Sequence, residues 1–171
     1  MPSPLVPLML ALAQAAPMAP AGPPACAAPV APPGGMGGWS KMAPVAAAVR
    51  AGEVGKALLP IGSSARATLL PIGQIDFAVP PARTPAAESG GGLFGFAVTT
   101  PGRYRVALGS AAWIDVVRNG RSLPSVAHGH GPVCSGIRKM VDFDLQPGRY
   151  LLQIAGTEPL STGVMVSAVP K

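Results

Sequence analysis

The chain has 171 residues, of which 13 are basic and 7 acidic, and its net charge is +6 at pH 7. The basic residues are dispersed with no run of five, and aromatic residues make up only 5% of the chain, which argues against a specific nucleic-acid-binding protein. No charged residue precedes Lys41, so the segment before it is distinct from the folded part, which is long enough for one domain. The dispersed positive charge predicts, at most, a weak attraction to anionic surfaces.

Residues 1–15 have the pattern of a secretory signal peptide. The apolar run from Leu5 to Ala16 ends in small residues, and Ala13-Gln14-Ala15 fits a cleavage site of the A-x-A type. The run is shorter than the roughly 20 apolar residues that a transmembrane helix needs, and no basic residue precedes it. The sequence therefore predicts export to the periplasm or the extracellular space.

Residues 16–45 are rich in Ala, Pro and Gly and lack periodicity, which predicts a disordered, flexible tether. Cys26 lies in this segment. Lipidation of Cys26 is the weaker alternative, because Pro23 stands where bacterial lipoprotein signals usually carry Leu. In an oxidising compartment Cys26 could instead pair with Cys134, and a disulfide and two separate thiols both stay open.

Residues 46–171 alternate apolar and polar side chains over most of their length. This period of two predicts one antiparallel β-sandwich or jelly-roll-like domain of about eight strands. Among the predicted strands are 65–70, 74–79 and 123–127, and the dipeptide Asn119-Gly120 predicts a tight hairpin. A short helix is predicted over 46–54.

The sequence Pro-Gly-Arg-Tyr occurs twice, at 101–104 and 147–150, between apolar segments of the same phase. Proline and glycine favour a turn at both places, so the repeat predicts two equivalent hairpins whose corners face one another. Each tyrosine is expected at a sheet edge with its hydroxyl on a polar partner.

The stretch His-Gly-His-Gly-Pro-Val-Cys at 128–134 contains both histidines of the chain. In an extended backbone His128 and His130 project from one face, where they could share a metal ion. Cys134 with Asp115 or Asp142 could complete a zinc, copper or iron site. The sequence favours a simpler interpretation, a surface loop with a bridged or buried cysteine, for which no cofactor is expected. A ligand-recognition loop is the third interpretation.

Other sequence features give no catalytic pattern. Neither Gly62-Ser63-Ser64 nor Cys134-Ser135-Gly136 completes the G-x-S-x-G motif of serine hydrolases. The glycines at 90–92 precede a predicted strand instead of a helix, so they do not predict a phosphate-binding loop. Asp142 and Asp144 alternate with apolar residues and are expected to face solvent.

Several blocks carry a resemblance to a known group: Pro101-Gly102-x-Tyr104, 113–117, 127–132 and 147–150. In this order they resemble small exported bacterial β-sandwich proteins that are often labelled homogentisate 1,2-dioxygenase, and more loosely they are similar to pre-peptidase C-terminal-type domains. The label implies an iron enzyme with His128 and His130 as ligands. A glutamate follows the His-x-His motif in cupin-type enzymes of that name, whereas this chain has no carboxylate at 132–135.

The sequence thus favours an exported, non-catalytic binding or accessory protein of the cell envelope, whose partner is an envelope polymer or protein. The predicted binding loop contains His128, His130 and Cys134, with Trp113 and Asp115 on a neighbouring strand. The alternative is a metal-dependent dioxygenase that uses His128 and His130.

Overall fold

A computed structural model describes residues 26–170, and two β-sheets pack face to face in it. The strands are β1 (Ala43–Ala46), β2 (Ser64–Thr68), β3 (Leu70–Pro71), β4 (Gly90–Val98), β5 (Gly102–Leu108), β6 (Trp113–Arg118), β7 (Arg121–Ser122), β8 (Ala127–Gly129), β9 (Lys139–Leu145), β10 (Gly148–Thr157) and β11 (Ser161–Ala168). The first sheet has the order β1-β2-β11-β5-β9-β8 and the second the order β3-β4-β10-β6-β7.

This arrangement confirms the predicted all-β sandwich, with eleven strands in place of about eight. Three of the strands have only two or three residues, too short to produce a visible alternation in the sequence. The pair β1–β2 is parallel, so the sheets are not wholly antiparallel as predicted. None of the helices over residues 26–170 is long and apolar enough to cross a membrane. The predicted signal peptide, residues 1–15, lies outside the described residues.

The core lies between the sheets and is built from alternate residues of the facing strands. Phe94 and Leu152 come from the second sheet, and Val106 and Phe143 from the first; all four are buried. Burial of such side chains stabilises the fold by about 1.5–3 kcal/mol each. The side chains of these strands that point into the core therefore follow the period of two seen in the sequence.

The repeated Pro-Gly-Arg-Tyr segments are not hairpins, so that prediction is wrong. The first connects β4 of the second sheet to β5 of the first sheet, and the second connects β9 of the first sheet to β10 of the second. These two connections between the sheets lie side by side, because β4 pairs with β10 and β5 pairs with β9. A period of two indicates which side chains of a strand point into the core. It does not indicate whether the next turn leads to a strand of the same sheet or to a strand of the facing sheet, because core-facing side chains can be kept in both cases.

The two repeat tyrosines make the same hydrogen bond. Tyr104 donates its hydroxyl to the carbonyl of Thr100 at 2.8 Å, and Tyr150 donates to the carbonyl of Gln146 at 2.6 Å. In each case the acceptor lies four residues upstream, and both rings are buried. This arrangement matches the tyrosine corner of other β-sandwiches, and it supplies the polar partner expected for each hydroxyl. The expected sheet-edge position is wrong, because β5 and β10 are both interior strands.

Three predicted elements differ in the structure. Residues 46–54 form no α-helix; a 3-10 helix occupies Ala51–Lys56. Residues 74–79 form no strand, because another 3-10 helix occupies Ile72–Gln74 and the backbone of Val79 pairs with a side chain. The Asn119-Gly120 turn is present with positive φ at both residues, but the strand predicted over 123–127 is not: β7 is only Arg121–Ser122, and β8 begins at Ala127.

The described part of the predicted tether, residues 26–45, packs on the outer face of the first sheet. Met36 and Trp39 are 0% and 5% exposed, and they lie in one cluster with Ile137 and Met165. The hydroxyl of Ser64 also donates to the carbonyl of Gly38 at 2.6 Å. The tether prediction is therefore wrong for this part, since a few apolar anchors can hold a segment that has no periodicity. Residues 16–25 lie outside the described residues.

Candidate functional site

Residues 128–134, which we call the histidine loop, lie at the edge of the first sheet. β8 is the edge strand there and pairs with β9, with His128 opposite Val141. Both His128 and His130 are exposed, but they line two different clefts. Within residues 26–170 no group of three His, Cys, Asp or Glu side chains is placed to hold a metal ion.

The larger cleft has a volume of about 600 Å³, within the usual range of ligand pockets. We call it the basic cleft and define it by Arg83, Trp113, His130, Arg138 and Lys139, which all line it. Two of these residues, Trp113 and His130, belong to the binding loop that the sequence predicted. The structure therefore brings this pair together in one concave site.

The strand alternation of β6 positions Trp113. Ile114 and Val116 point into the core, so Trp113 and Asp115 are turned to the outer face of the second sheet. Trp113 stands at the start of the strand, beside Ala155 of β10, and it is 37% exposed. An aromatic side chain of this size that is left partly open to solvent in a cleft is suited to contact a ligand.

A long connection between β3 and β4 forms one wall of the basic cleft, to which it contributes residues 83–86. The buried side-chain amide of Gln153 holds this connection: its Oε1 accepts from the Val79 amide at 3.2 Å and its Nε2 donates to the Val79 carbonyl at 3.0 Å. Further along the wall, a Cβ placed on Gly156 would lie 3.7 Å from Cβ of Pro85. The wall that carries Arg83 is thus packed against β10.

The charged side chains of the basic cleft are all cationic. Arg83 and Arg138 are exposed and Lys139 is half-buried. Among residues 26–170, none of these three forms an ion pair, and no Asp or Glu lines the cleft. Cations that converge on a concave surface concentrate positive potential, so the cleft attracts anions.

The ring of His130 is oriented by the backbone. Its Nδ1 lies 2.7 Å from the carbonyl oxygen of Arg138, which can only accept, so Nδ1 carries the proton and donates. The amide of Arg138 in turn donates to the carbonyl of Leu108 at 2.8 Å. Nε2 is consequently the nitrogen of His130 that can contact a ligand.

Cys134 is joined to Cys26 by a disulfide with a Cα–Cα distance of 5.5 Å. Of the two alternatives that the sequence left open, the structure thus contains the disulfide. The amide of Val30 also donates to the carbonyl of Cys134 at 3.0 Å. Cys134 therefore anchors the N-terminal segment to the histidine loop. It lines neither of the two clefts that contain His128 and His130, and it offers no thiolate to a metal while the disulfide is intact.

Asp142 is 4% exposed, and the prediction that it faces solvent is wrong. It lies directly opposite Arg105 in the β5–β9 pair, and its two carboxylate oxygens accept from Nε and Nη2 of Arg105 at 2.7 and 2.8 Å. The hydrogen bond to Asp142 raises the pKa of Arg105 above its ordinary value. Asp144 makes a similar pair with Arg103, but there both side chains are about half exposed, as the sequence predicted for Asp144.

Asp115 is also buried and lines neither histidine cleft. Its Oδ1 accepts from the hydroxyl of Ser122 at 2.9 Å, whereas Oδ2 has no hydrogen-bond partner within residues 26–170. The structure therefore separates Asp115 and Cys134 from the other three residues of the predicted binding loop, His128, His130 and Trp113.

The sequence alone did not indicate Arg83, Arg138 and Lys139 as parts of the candidate site. Arg138-Lys139 was visible as an adjacent basic pair close after the histidines, but its convergence with Arg83 depends on the fold of the β3–β4 connection.

The chain matches no protein-family model and no curated protein sequence. Its fold and site define a β-sandwich with a basic, tryptophan-lined cleft at one sheet edge.

Proposed function

We propose that this chain is an exported, non-catalytic binding or accessory protein of the cell envelope and that the basic cleft is its ligand site. The observation that carries the proposal is the partly exposed Trp113 beside three cations that have no ion-pair partner within residues 26–170. Side chains that are pre-positioned and not engaged with one another are available to a ligand.

Two observations support export. The apolar run that begins at Leu5 ends in a sequence that fits the cleavage site of a signal peptidase. Cys26 and Cys134 form a disulfide, and such bonds persist mainly in oxidising compartments such as the periplasm and the extracellular space. Both observations are expected of a protein of the cell envelope.

The bonding of the other candidate residues supports binding over catalysis. Asp142 is bonded to Arg105, Asp115 to Ser122, and Cys134 to Cys26. An acid, a base or a nucleophile has to lie within hydrogen-bond reach of the reacting atoms, and these three groups lie outside the lining of the basic cleft. The cleft offers cations, an imidazole and an indole, a set suited to recognition.

Co-sedimentation with isolated bacterial envelopes tests the proposal. The oxidised full chain is expected to sediment with the insoluble envelope, and Trp113→Ala combined with Lys139→Gln is expected to weaken this binding at least about tenfold, because both side chains line the cleft. Lys56→Gln combined with Leu58→Ala, which removes a cation and an exposed apolar side chain away from the cleft, is the matched control. No sedimentation, or equal loss in the control, would contradict the proposal.

The second candidate, a metal-dependent dioxygenase, is favoured by one feature: Nδ1 of His130 donates to a backbone carbonyl, as it commonly does in metal-bound histidines. His128 and His130 would then hold iron. Oxygen uptake with homogentisate and Fe(II), present in the natural chain and lost in His128→Ala/His130→Ala, would overturn the non-catalytic proposal. We expect no uptake from either protein.

A further inference from the structure

We infer that the ligand of the basic cleft is an acidic saccharide, whose sugar ring packs on Trp113 and whose carboxylates pair with Arg83, Arg138 and Lys139. This inference rests on the proposed function, since it names the chemical class that the same cleft would accept. It depends on where the cations come from, on the placement of the indole, and on a second cleft that adjoins the first.

The cations reach the cleft from two sides. Arg83 belongs to the wall formed by the β3–β4 connection, whereas Lys139 is the first residue of β9 and Arg138 directly precedes it. Lys139 is held in the β5–β9 pairing opposite Leu108, and the amide of Arg138 is bonded to the carbonyl of the same residue. An anion between the two sides can thus accept charge-assisted hydrogen bonds from both, which are stronger than neutral ones.

Trp113 supplies the apolar part of the site. Sugar rings present a face of C–H groups that packs on an aromatic ring, while their hydroxyls keep contact with polar groups and water. The indole has a large flat surface and is 37% exposed within the cleft, and Nε2 of His130 is available as a hydrogen-bonding atom in the same cleft. A small inorganic anion would leave the indole unused.

A second cleft of about 280 Å³ adjoins the basic cleft, and the two share Trp113 and Lys139 in their linings. The second cleft adds His128 and Ser125, a ring nitrogen and a hydroxyl that can bond to sugar hydroxyls. A ligand of several linked rings could follow both clefts past Trp113. The structure thus suits an oligomeric acidic saccharide better than a single sugar.

The shape of the site argues against an anionic lipid surface as the ligand. Membrane-binding surfaces insert tryptophan and other apolar side chains from a protruding face into the headgroup region. Trp113 instead lines a concave cleft and is mostly covered by protein. A flexible chain with discrete carboxylates can enter such a cleft, whereas a bilayer cannot.

Calorimetric and fluorescence titration with hexagalacturonate tests the inference. The chain has two tryptophans, and since Trp39 is buried, saturable changes in emission are expected to come from Trp113 and to vanish in Trp113→Phe. Arg138→Gln combined with Lys139→Gln is expected to weaken binding by about tenfold or more, because both charge-assisted contacts are lost. Lys56→Gln combined with Arg66→Gln removes the same charge outside the cleft and is expected to change affinity less than twofold.

The fully methyl-esterified hexasaccharide has the same rings without the charges, and it should not bind. Equal binding of the ester, or no binding of hexagalacturonate at millimolar concentration, would overturn the inference. The inference would also be overturned if the chain binds phosphatidylglycerol vesicles, if Trp113→Ala leaves that binding unchanged, and if hexagalacturonate does not compete with the vesicles. If envelopes are bound in a Trp113-dependent way but hexagalacturonate is not, the ligand class fails and the proposed function stands.

Discussion

Replacement of both cysteines by serine is expected to lower the free energy of unfolding by about 4 kcal/mol. The bond between Cys26 and Cys134 closes a loop over a sequence separation of 108 residues, and a cross-link over so long a loop removes much entropy from the unfolded chain. Guanidinium denaturation of the natural chain and of Cys26→Ser/Cys134→Ser would measure the difference.

The natural chain in reducing agent is the matched control, because it breaks the same bond without a change of sequence. Trp39 provides a local readout, since its burial depends on the segment that the disulfide anchors. If neither reduction nor substitution changes the free energy of unfolding, the account of the disulfide as a stabilising cross-link is contradicted.

Asp142→Asn is expected to destabilise the fold by about 2–3 kcal/mol, the second large effect. The substitution leaves the guanidinium of Arg105, whose side chain is only 21% exposed, without its anionic partner in a largely buried site. Breaking a buried ion pair by removal of one partner costs about 3–5 kcal/mol, and the residual exposure of Arg105 reduces that figure. Thermal and chemical denaturation would measure the loss.

Asp144→Asn offers a matched control on the same strand. Asp144 pairs with Arg103 across β5 and β9 in the same way, but both side chains are about half exposed. The effect of this substitution should be much smaller, because exposed ion pairs contribute little. Equal effects of the two substitutions would contradict the account of Asp142 as a buried ion-pair partner.

The fold could be predicted from the sequence to the level of buried faces, but not to the level of sheet membership. Phe94 and Val106 lie on segments that alternate in the sequence, and both point into the core. That the turn at 101–104 crosses from one sheet to the other depends on the pairing of β4 with β10, whose paired residues are fifty or more positions apart in the sequence. Local patterns carry no signal for such a contact.

The residues of the basic cleft could be predicted only in part, because their convergence also depends on contacts between distant segments of the chain. The sequence indicated His130 and Trp113, because their residue types stand out in a chain with few aromatic and imidazole side chains. Arg83 could not be assigned, since its position depends on the hydrogen bonds from Gln153 to a connection that the sequence presented as a strand. Burial of Asp142 likewise depends on its cross-strand neighbour, Arg105.

The central claim is that the basic cleft is where this protein binds a ligand. Amide chemical shifts of the isotopically labelled full chain, followed during titration with soluble fragments released from bacterial envelopes, test it most directly. The account predicts that the largest shifts occur at Trp113, His130 and Lys139, including the indole Nε1–H of Trp113. Largest shifts around Leu58 and Ile61, which line a separate groove, would contradict it.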